Sequence, residues 1–250
     1  MPYSESEIKP GLQRKPLKKD IFEVLHKRII AGKYSPGEWL RQEEISTQLG
    51  VSQTPVREAL DLLVSAGLAE RVPYRGVRVL QLSTEEIIDA YELRLLLDST
   101  AARSAAERGD THQTRALSRL LEKMKPLVSL NDMSRQRQLN REFHRLIAET
   151  GRNDLLIRIY EMASNAFPDW MLYEAMFHHP EMLPVCLEQE YQEHAAILEA
   201  ISTRDAPGAA KKALEHILTV GKELEILLGI PADLLHEKER QFTLSPQTQG

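Results

Sequence analysis

Hydrophobic positions in the first eighty residues recur first with the period of a helix and then with that of a strand. Leu17, Ile21, Val24, Leu25 and Ile29 fall on one helical face. Ala31-Gly32 and Ser35-Pro36-Gly37 end that run. A second, short helix is predicted from about Gln42 to Leu49, with Ile45 and Leu49 four apart and Gly50 closing it. A third starts near Ser52–Pro55. Ser52 or Thr54 can cap its exposed amides, and Pro55 suits a first turn because its missing N–H is no loss there. Val56, Leu60, Leu63 and Val64 form its inner face, and Gly67 ends it. Then the period changes. Leu68–Val72 and Gly76–Leu80 read as two short strands joined by Pro73-Tyr74-Arg75. Three helices and a hairpin predict a winged helix-turn-helix over residues 17–81.

Beyond Leu80 no run is strand-like. Ser83 with Glu86 makes a capping box and opens a long helix carrying Ile87, Ala90, Tyr91, Leu93, Arg94, Leu97, Asp98 and Ala101. Further helical runs cover roughly 111–129, 133–150, 153–177, 182–203 and 206–228, broken at Gly151, Pro180, Pro184 and Asp205–Gly208. The expected fold is mainly α: the winged helix, then with almost no linker an all-α antiparallel helical bundle over 82–235. Residues 1–16 and 236–250 are polar and are expected to be flexible.

Charge sharpens this division. The net charge of −5 looks wrong for a nucleic-acid binder, but residues 1–80 hold 13 Lys/Arg against 10 Asp/Glu, and the rest 19 against 27. A mildly basic module is joined to an acidic one. One Cys in 250 residues excludes a disulfide framework and points to a reducing compartment. The first residues carry no basic–apolar–small signal pattern, and no apolar run approaches the ~18–20 residues of a membrane helix. The expected location is the cytoplasm, with no membrane partner.

Within 41–80 the chemistry suits double-stranded DNA. A tight turn at Gly50 aims the third helix so that its first residues can enter a major groove. Ser52, Gln53 and Thr54 stand at that leading end, where helix amides favour a phosphate. Gln53 can pair with an adenine edge, and Arg57, one turn on, can reach a phosphate or a guanine. Arg41 at the start of the second helix and the hairpin tip Tyr74-Arg75-Gly76 are further candidates for backbone or minor-groove contact. Read alone, Arg57 and Glu58 could equally be solvated helix charges.

The stretches PGEWL, LGVSQTPVREALDLLVSAGLAE and YRGVRV resemble the winged helix of GntR-type transcription regulators. DAYELRLLLDSTAARSAAER, REFHRLIAETGRNDLL and EYQEHAAILEAISTRDAPGAAKKALEHI resemble the FadR-like branch, whose all-helical effector domain is of the FCD type. The resemblance spans Lys18 to Leu228 and implies a homodimer on a pseudo-palindromic operator, controlled by a small organic acid. The family has Arg where this chain has Gln53, so an operator altered at that step is expected. FCD domains hold Zn, Ni or Mn on Asp-x-x-x-His and two further histidines, which the resemblance places at Asn140, His144, His194 and His216. Asn140 stands where Asp is usual, and a weaker site, or one completed by the effector's carboxylate, is expected. The ELR arginine, here Arg94, can face the effector in the family. The competing reading is an i,i+4 ion pair of Arg94 with Asp98 on a surface face. Phe167, Trp170, Tyr173 and Phe177 read as core or dimer packing, His178 and His179 as surface residues, and Cys186 as unpartnered.

Two other functions compete. Three histidines with an open position also describe a metal-dependent hydrolase, although that leaves residues 41–80 without a role and offers no acidic base beside the ligands. An architectural nucleic-acid binder without a ligand is the third reading, for which the bundle is large.

Overall fold

The computed structural model describes residues 17–167 and 169–243. The N-terminal module comprises α1 (Leu17–Ile30), α2 (Gln42–Leu49), α3 (Gln53–Ser65), β1 (Ala69–Val72) and β2 (Gly76–Val79). Ile21, Leu25 and Ile29 of α1 pack with Ile45 of α2 and with Val56, Leu60 and Leu63 of α3 in one core. The tight α2–α3 turn rests on Gly50, at φ 64°, where an L side chain would be strained. Ser52 takes the N-cap position of α3, but its side chain makes no capping bond, contrary to one of the two caps expected.

β1 and β2 pair antiparallel, Ala69 opposite Val79 and Val72 opposite Gly76. The sequence reading missed a third participant. The segment 37–40 runs beside β2: Val79 N–H donates to the Glu38 carbonyl and Leu40 N–H to the Val77 carbonyl, each at 2.9 Å. Four residues that follow Pro36 and begin with Gly37 offer no period-two signal to read. Tyr74 turns the hairpin at φ 61° with its side chain wholly exposed, an unusual backbone for a non-glycine residue.

The remaining helices are α4 (Thr84–Arg108), α5 (Thr111–Met124), α6 (Met133–Thr150), α7 (Asp154–Ala166), α8 (Asp169–His178), α9 (Leu183–Ser202), α10 (Ala206–Leu228) and α11 (Ala232–Thr243), with a 3-10 turn at Leu130–Asp132. The expected box starts α4: Glu86 N–H donates to Ser83 Oγ at 3.2 Å, and Ser83 N–H to Glu86 Oε2 at 2.8 Å. α4 is the central helix, packed by α6, α7, α9, α10 and α11. None of the described helices is long and apolar enough to cross a membrane.

Two expectations change. The run read as one helix over 153–177 is two, because Phe167 adopts an extended backbone, ψ 133°, as a residue before proline prefers. The tail expected to be flexible from 236 is helical as far as Thr243. His236, Glu237, Arg240 and Gln241 are exposed, but the helix is docked on α4 by others: Tyr91 Oη donates to Glu239 at 2.7 Å and Lys238 Nζ to Glu92 at 2.5 Å. Residues 1–16 and 244–250 lie outside the described residues.

The two modules share a core. Met133, Trp170, Tyr173, Met176, Leu183 and Leu187 join the cluster built by α1 and α3. Gly67, at φ 69°, passes so close to α7 that a Cβ would stand 2.5 Å from the Asn165 carbonyl oxygen. At the centre of this junction His26 is fully buried. Arg137 Nη1 lies 3.2 Å from its Nε2 and Ser134 Oγ 2.5 Å from its Nδ1. Arginine can only donate, so Nε2 accepts and Nδ1 carries the proton.

Burial, reinforced by Arg137, lowers the pKa of His26 to about 3. The imidazole therefore stays neutral in the folded chain while an unfolded one takes up a proton below a pH of roughly 6.5. A folded-state pKa that is depressed for a base makes stability fall as pH drops through that window, by up to about 1.4 kcal/mol per unit for this residue. Replacing His26 with Gln, which can still accept from Arg137, is expected to flatten urea-unfolding stability between about pH 6 and 4 by that slope. Parallel curves for the two proteins would refute the assignment.

Candidate functional site: a DNA-reading face and a buried histidine centre

The leading end of α3 is held from below. Gln42 of α2 donates Nε2 to the Gln53 carbonyl at 3.1 Å and to Gln53 Oε1 at 3.3 Å. That fixes the Gln53 side chain while leaving its own amide donors for a base edge. Ser52 and Thr54 flank it, both exposed, and Arg57 lies one turn further along. Arg41, Arg57, Arg75 and Gly76 line one groove together with Arg71 and Trp39. Arg71 is paired with Asp61 and Arg78 with Glu70, whereas Arg41, Arg57 and Arg75 have no carboxylate partner among the described residues. Unpaired guanidiniums on one face are what phosphate binding requires. Trp39, which sequence reasoning missed, supports Arg41, Arg75 and the paired Arg78. The guanidinium carbons of Arg75, Arg41 and Arg78 stand 5.1, 5.5 and 6.0 Å from its ring centroid. A tryptophan among arginines just before a recognition element was the available signal. Tyr74 stands apart at the hairpin tip.

Gln53→Arg is expected to move preference at one base step from adenine toward guanine, by about 1–3 kcal/mol. Site selection from randomised DNA with both proteins measures this, and identical selected sites would refute it.

The second site lies in the bundle. Arg137, Asn140, Arg141 and His144 share one stripe of α6, facing Glu190, Glu193 and His194 of α9 and His216, Thr219 and Glu223 of α10. One ligating nitrogen from each of His144, His194 and His216 lies within 4.8 Å of the others, and all three side chains are buried. Asp98 Oδ1 is 3.3 Å from His144 Nδ1, and Glu193 Oε2 is 2.7 Å from His216 Nδ1. Each carboxylate accepts from Nδ1 and so leaves a bare Nε2 lone pair directed inward. Burial, against the pull of Asp98, lowers His144 to about 4, and burial lowers His194 well below its ordinary value. Both rings are therefore neutral at pH 7, the form that coordinates metal. The Nε2 atoms of His144 and His194 face each other at 3.1 Å. That is roughly the separation of two nitrogens bound to one ion at about 2.0–2.1 Å each.

Asn140 completes the picture in an unexpected way. Its Nδ2 donates to Glu190 Oε1 at 2.5 Å and to Tyr173 Oη at 3.0 Å, leaving Oδ1 buried and without a partner. An orphaned carbonyl oxygen beside bare imidazole nitrogens suits a divalent cation, and the donor set fits one.

The residues of that stripe and those facing it, all except Arg137 and His194, border a cavity of about 50 Å³. With one water needing roughly 10–15 Å³ on that scale, it holds several waters or a small metabolite. Arg94 and Arg141 also line it. Arg94 and Asp98 do pair, through Nε at 2.6 Å and Nη2 at 3.1 Å, but the pair is buried and not on a surface face. Arg94 keeps three N–H groups beyond those two bonds. Phe167 and Tyr173, expected to be packing residues, are buried and line the cavity as well. Trp170 is core, Phe177 is half-buried, and His178 and His179 are exposed. Cys186 is a free, half-buried thiol, its pKa pushed up to about 11 by burial and by the nearby Glu223. Sequence reasoning missed Glu190 and Glu223, which in helical stripes look like solvated charges.

Comparison with known proteins agrees with both halves. Residues 17–79 match the family described as bacterial regulatory proteins, gntR family, and residues 89–219 match the FCD domain. The chain is 24% identical over 236 residues to the HTH-type transcriptional repressor RspR of Escherichia coli strain K12, covering 94% of this chain and 99% of that one. It is 28% identical over 216 residues to the probable D-xylose utilization operon transcriptional repressor of Paenarthrobacter nicotinovorans, covering 82% and 87%. The solved structure of E. coli McbR/YncC has a similar fold, with a TM-score of 0.62 at 23% identity over 86% of this chain and 99% of that one. These relatives are regulators, which sets the hydrolase alternative aside. The chain belongs to the GntR family of transcriptional regulators, with a helix-turn-helix DNA-binding domain joined to an FCD effector domain.

Proposed function

We propose that this regulator is a homodimeric, cytoplasmic repressor that binds a pseudo-palindromic operator through Arg41, Ser52, Gln53, Thr54, Arg57, Tyr74, Arg75 and Gly76. A small carboxylate effector and a divalent metal in the bundle control that binding. The observation that carries this reading is the placement of the cavity. α6 presents Asn140 and His144 to it, and one turn earlier presents Arg137, whose Nη2 donates to the Ala66 carbonyl at the C-cap of α3 at 3.2 Å. The same Nη2 donates to Asp169 of α8 at 2.7 Å, and Asp169 borders the cavity. A ligand that shifts α6 against α8 thus acts on the recognition helix through one side chain. To change operator occupancy decisively it must favour one arrangement by several kcal/mol.

Asn140, His144, His194 and His216 would hold the metal, Zn, Ni or Mn by donor type. Bound there, the ion supplies a positive, electrophilic anchor for a carboxylate oxygen. Arg94 adds its remaining N–H groups, and the apolar Phe167, Leu172 and Met176 side chains exclude water from the bond. For the dimer, Leu155, Ile159 and Met162 form a 38–69% exposed stripe on α7, and Leu93 and Leu96 are exposed on the α4 helix packed against it. A second copy would cover this apolar surface, as two-fold operator binding demands.

Operator selection with the full-length protein, followed by DNA titration with zinc and a panel of carboxylic acids, tests the reading. The expected result is a two-fold-related site bound by a dimer in light scattering, with at least tenfold weaker binding when one acid is present with metal. DNA affinity unmoved by every acid and by metal removal would overturn it.

A further inference from the structure

The cavity is lined by more carboxyl groups than its cations pair. Arg94 is spent on Asp98, while Arg137 and Arg141 both lie against Asp169, at 2.7 and 3.6 Å. Glu193 is held by His216 and by Thr219 Oγ1 at 2.7 Å. Glu190 and Glu223 remain. Glu190 receives hydrogen bonds from Asn140, Tyr173 and Gln136, all neutral groups. Glu223, half-buried on the cavity wall, has only the Cys186 thiol nearby as a donor. Neither has a cation partner among the described residues. Burial and the nearby Glu190 and Glu193 push Glu223 up to about 8. A carboxyl in such a place either keeps its proton, as the raised pKa of Glu223 implies, or ionises against a cation that a ligand brings. A divalent ion in the histidine centre would offset Asp98 and Glu193, which lie against His144 and His216 at 3.3 and 2.7 Å. It would leave Glu190 and Glu223 without a cation.

We propose that the effector carries an ammonium group as well as its carboxylate, the carboxylate meeting Arg94 and the ammonium seated between Glu190 and Glu223. The ligand class is then an amino acid or ω-amino acid and not a dicarboxylate. This rests on the carboxylate-effector reading above. It also gives α9 and α10 a ligand-binding role: three ammonium hydrogens can satisfy Glu190, Glu223 and the Tyr173 hydroxyl together.

The test is calorimetric titration of the full-length protein, with zinc present throughout, using matched probes. γ-Aminobutyrate, δ-aminovalerate and ε-aminocaproate are each compared with the diacid of equal carbon count: succinate, glutarate and adipate. Valerate, putrescine and gluconate complete the set. The expected result is that one amino acid binds at least tenfold tighter than its diacid. Glu223→Gln, isosteric with the protonated acid, is expected to fold, to lose at least tenfold for that amino acid and to gain for the diacid. If diacids or valerate bind as tightly as the amino acids, the ammonium site is wrong while a carboxylate effector stands. Preference for gluconate would replace the ammonium with hydroxyls and overturn the proposal. Binding of putrescine with none of the acids would keep the ammonium site and overturn the carboxylate reading. No heat from any probe at millimolar concentration would overturn both.

Discussion

Arg137→Met is expected to lower the unfolding free energy by about 3 kcal/mol, the lower end of what breaking a buried ion pair costs. The low end applies because Arg141 remains 3.6 Å from Asp169 and retains part of the compensation. The loss arises on three sides at once. Asp169, whose burial is outweighed by Arg137 and Arg141 so that its pKa is lowered, loses its closest cation. The Ala66 carbonyl at the end of α3 loses a donor, and His26 Nε2 becomes a buried acceptor without a partner. For a chain of this length that corresponds to a fall in Tm of roughly 6–12 °C. Arg137→Lys keeps the charge but has one point donor where the guanidinium serves three acceptors from a planar fork. It is expected to recover less than half of the loss. The functional signature is separate from stability. At a temperature where both proteins are folded, Arg137→Met should bind operator but respond less to effector, because the bond tying α3 to the cavity wall is gone. Thermal unfolding and DNA titration with and without effector measure the two effects. Wild-type Tm, or an unchanged effector response in the folded variant, would show that Arg137 is not the link.

The contrast between what was readable in the chain and what was not follows from distance along it. α1, α3, the hairpin and α4 announce themselves because their signals are local: a periodic apolar face, a cap such as Ser83 with Glu86, a turn at Gly50. The three histidines and Asn140 were legible through motif resemblance, and the fold brings the three imidazoles together. What escaped was polar pairing across the chain. His26 meets Arg137 across 111 positions and Tyr91 meets Glu239 across 148. In the sequence each of these is one more polar residue in a helix, with the same appearance as a solvated one. Asp98 shows the ambiguity best. Its spacing from Arg94 predicted a pair, but only the packing of α4 against α6 reveals that the pair is buried and that its other partner is His144.

His194→Ala is expected to weaken divalent-metal binding at least about a hundredfold, beyond the roughly 10–100-fold that loss of an outer partner costs. His194 is fully buried, and its ring stacks at 4.7 Å against Phe143, so no other side chain moves in to replace it without repacking. Metal at a hundred times its dissociation constant should raise the stability of the wild type by about 2.7 kcal/mol and that of the variant by little. Asp98→Asn, which removes the acceptor for His144 Nδ1, is expected to fall between them, because the ring remains but its orientation and basicity are no longer set. The Asn140 position separates two explanations of the departure from the family pattern. If the neutral amide merely weakens the site, Asn140→Asp should raise metal affinity by itself. The structure predicts otherwise, because the new carboxylate would stand where Nδ2 now donates to Glu190 at 2.5 Å, and two anions at that distance repel. The gain should emerge only when Glu190→Gln is added, giving a coupling energy of about 1–3 kcal/mol between the two positions. Titrating zinc into the four proteins of that cycle decides it. Additive effects would mean that Asn140 is a weaker ligand and nothing more, and coupling would mean that Asn140 is there because Glu190 is.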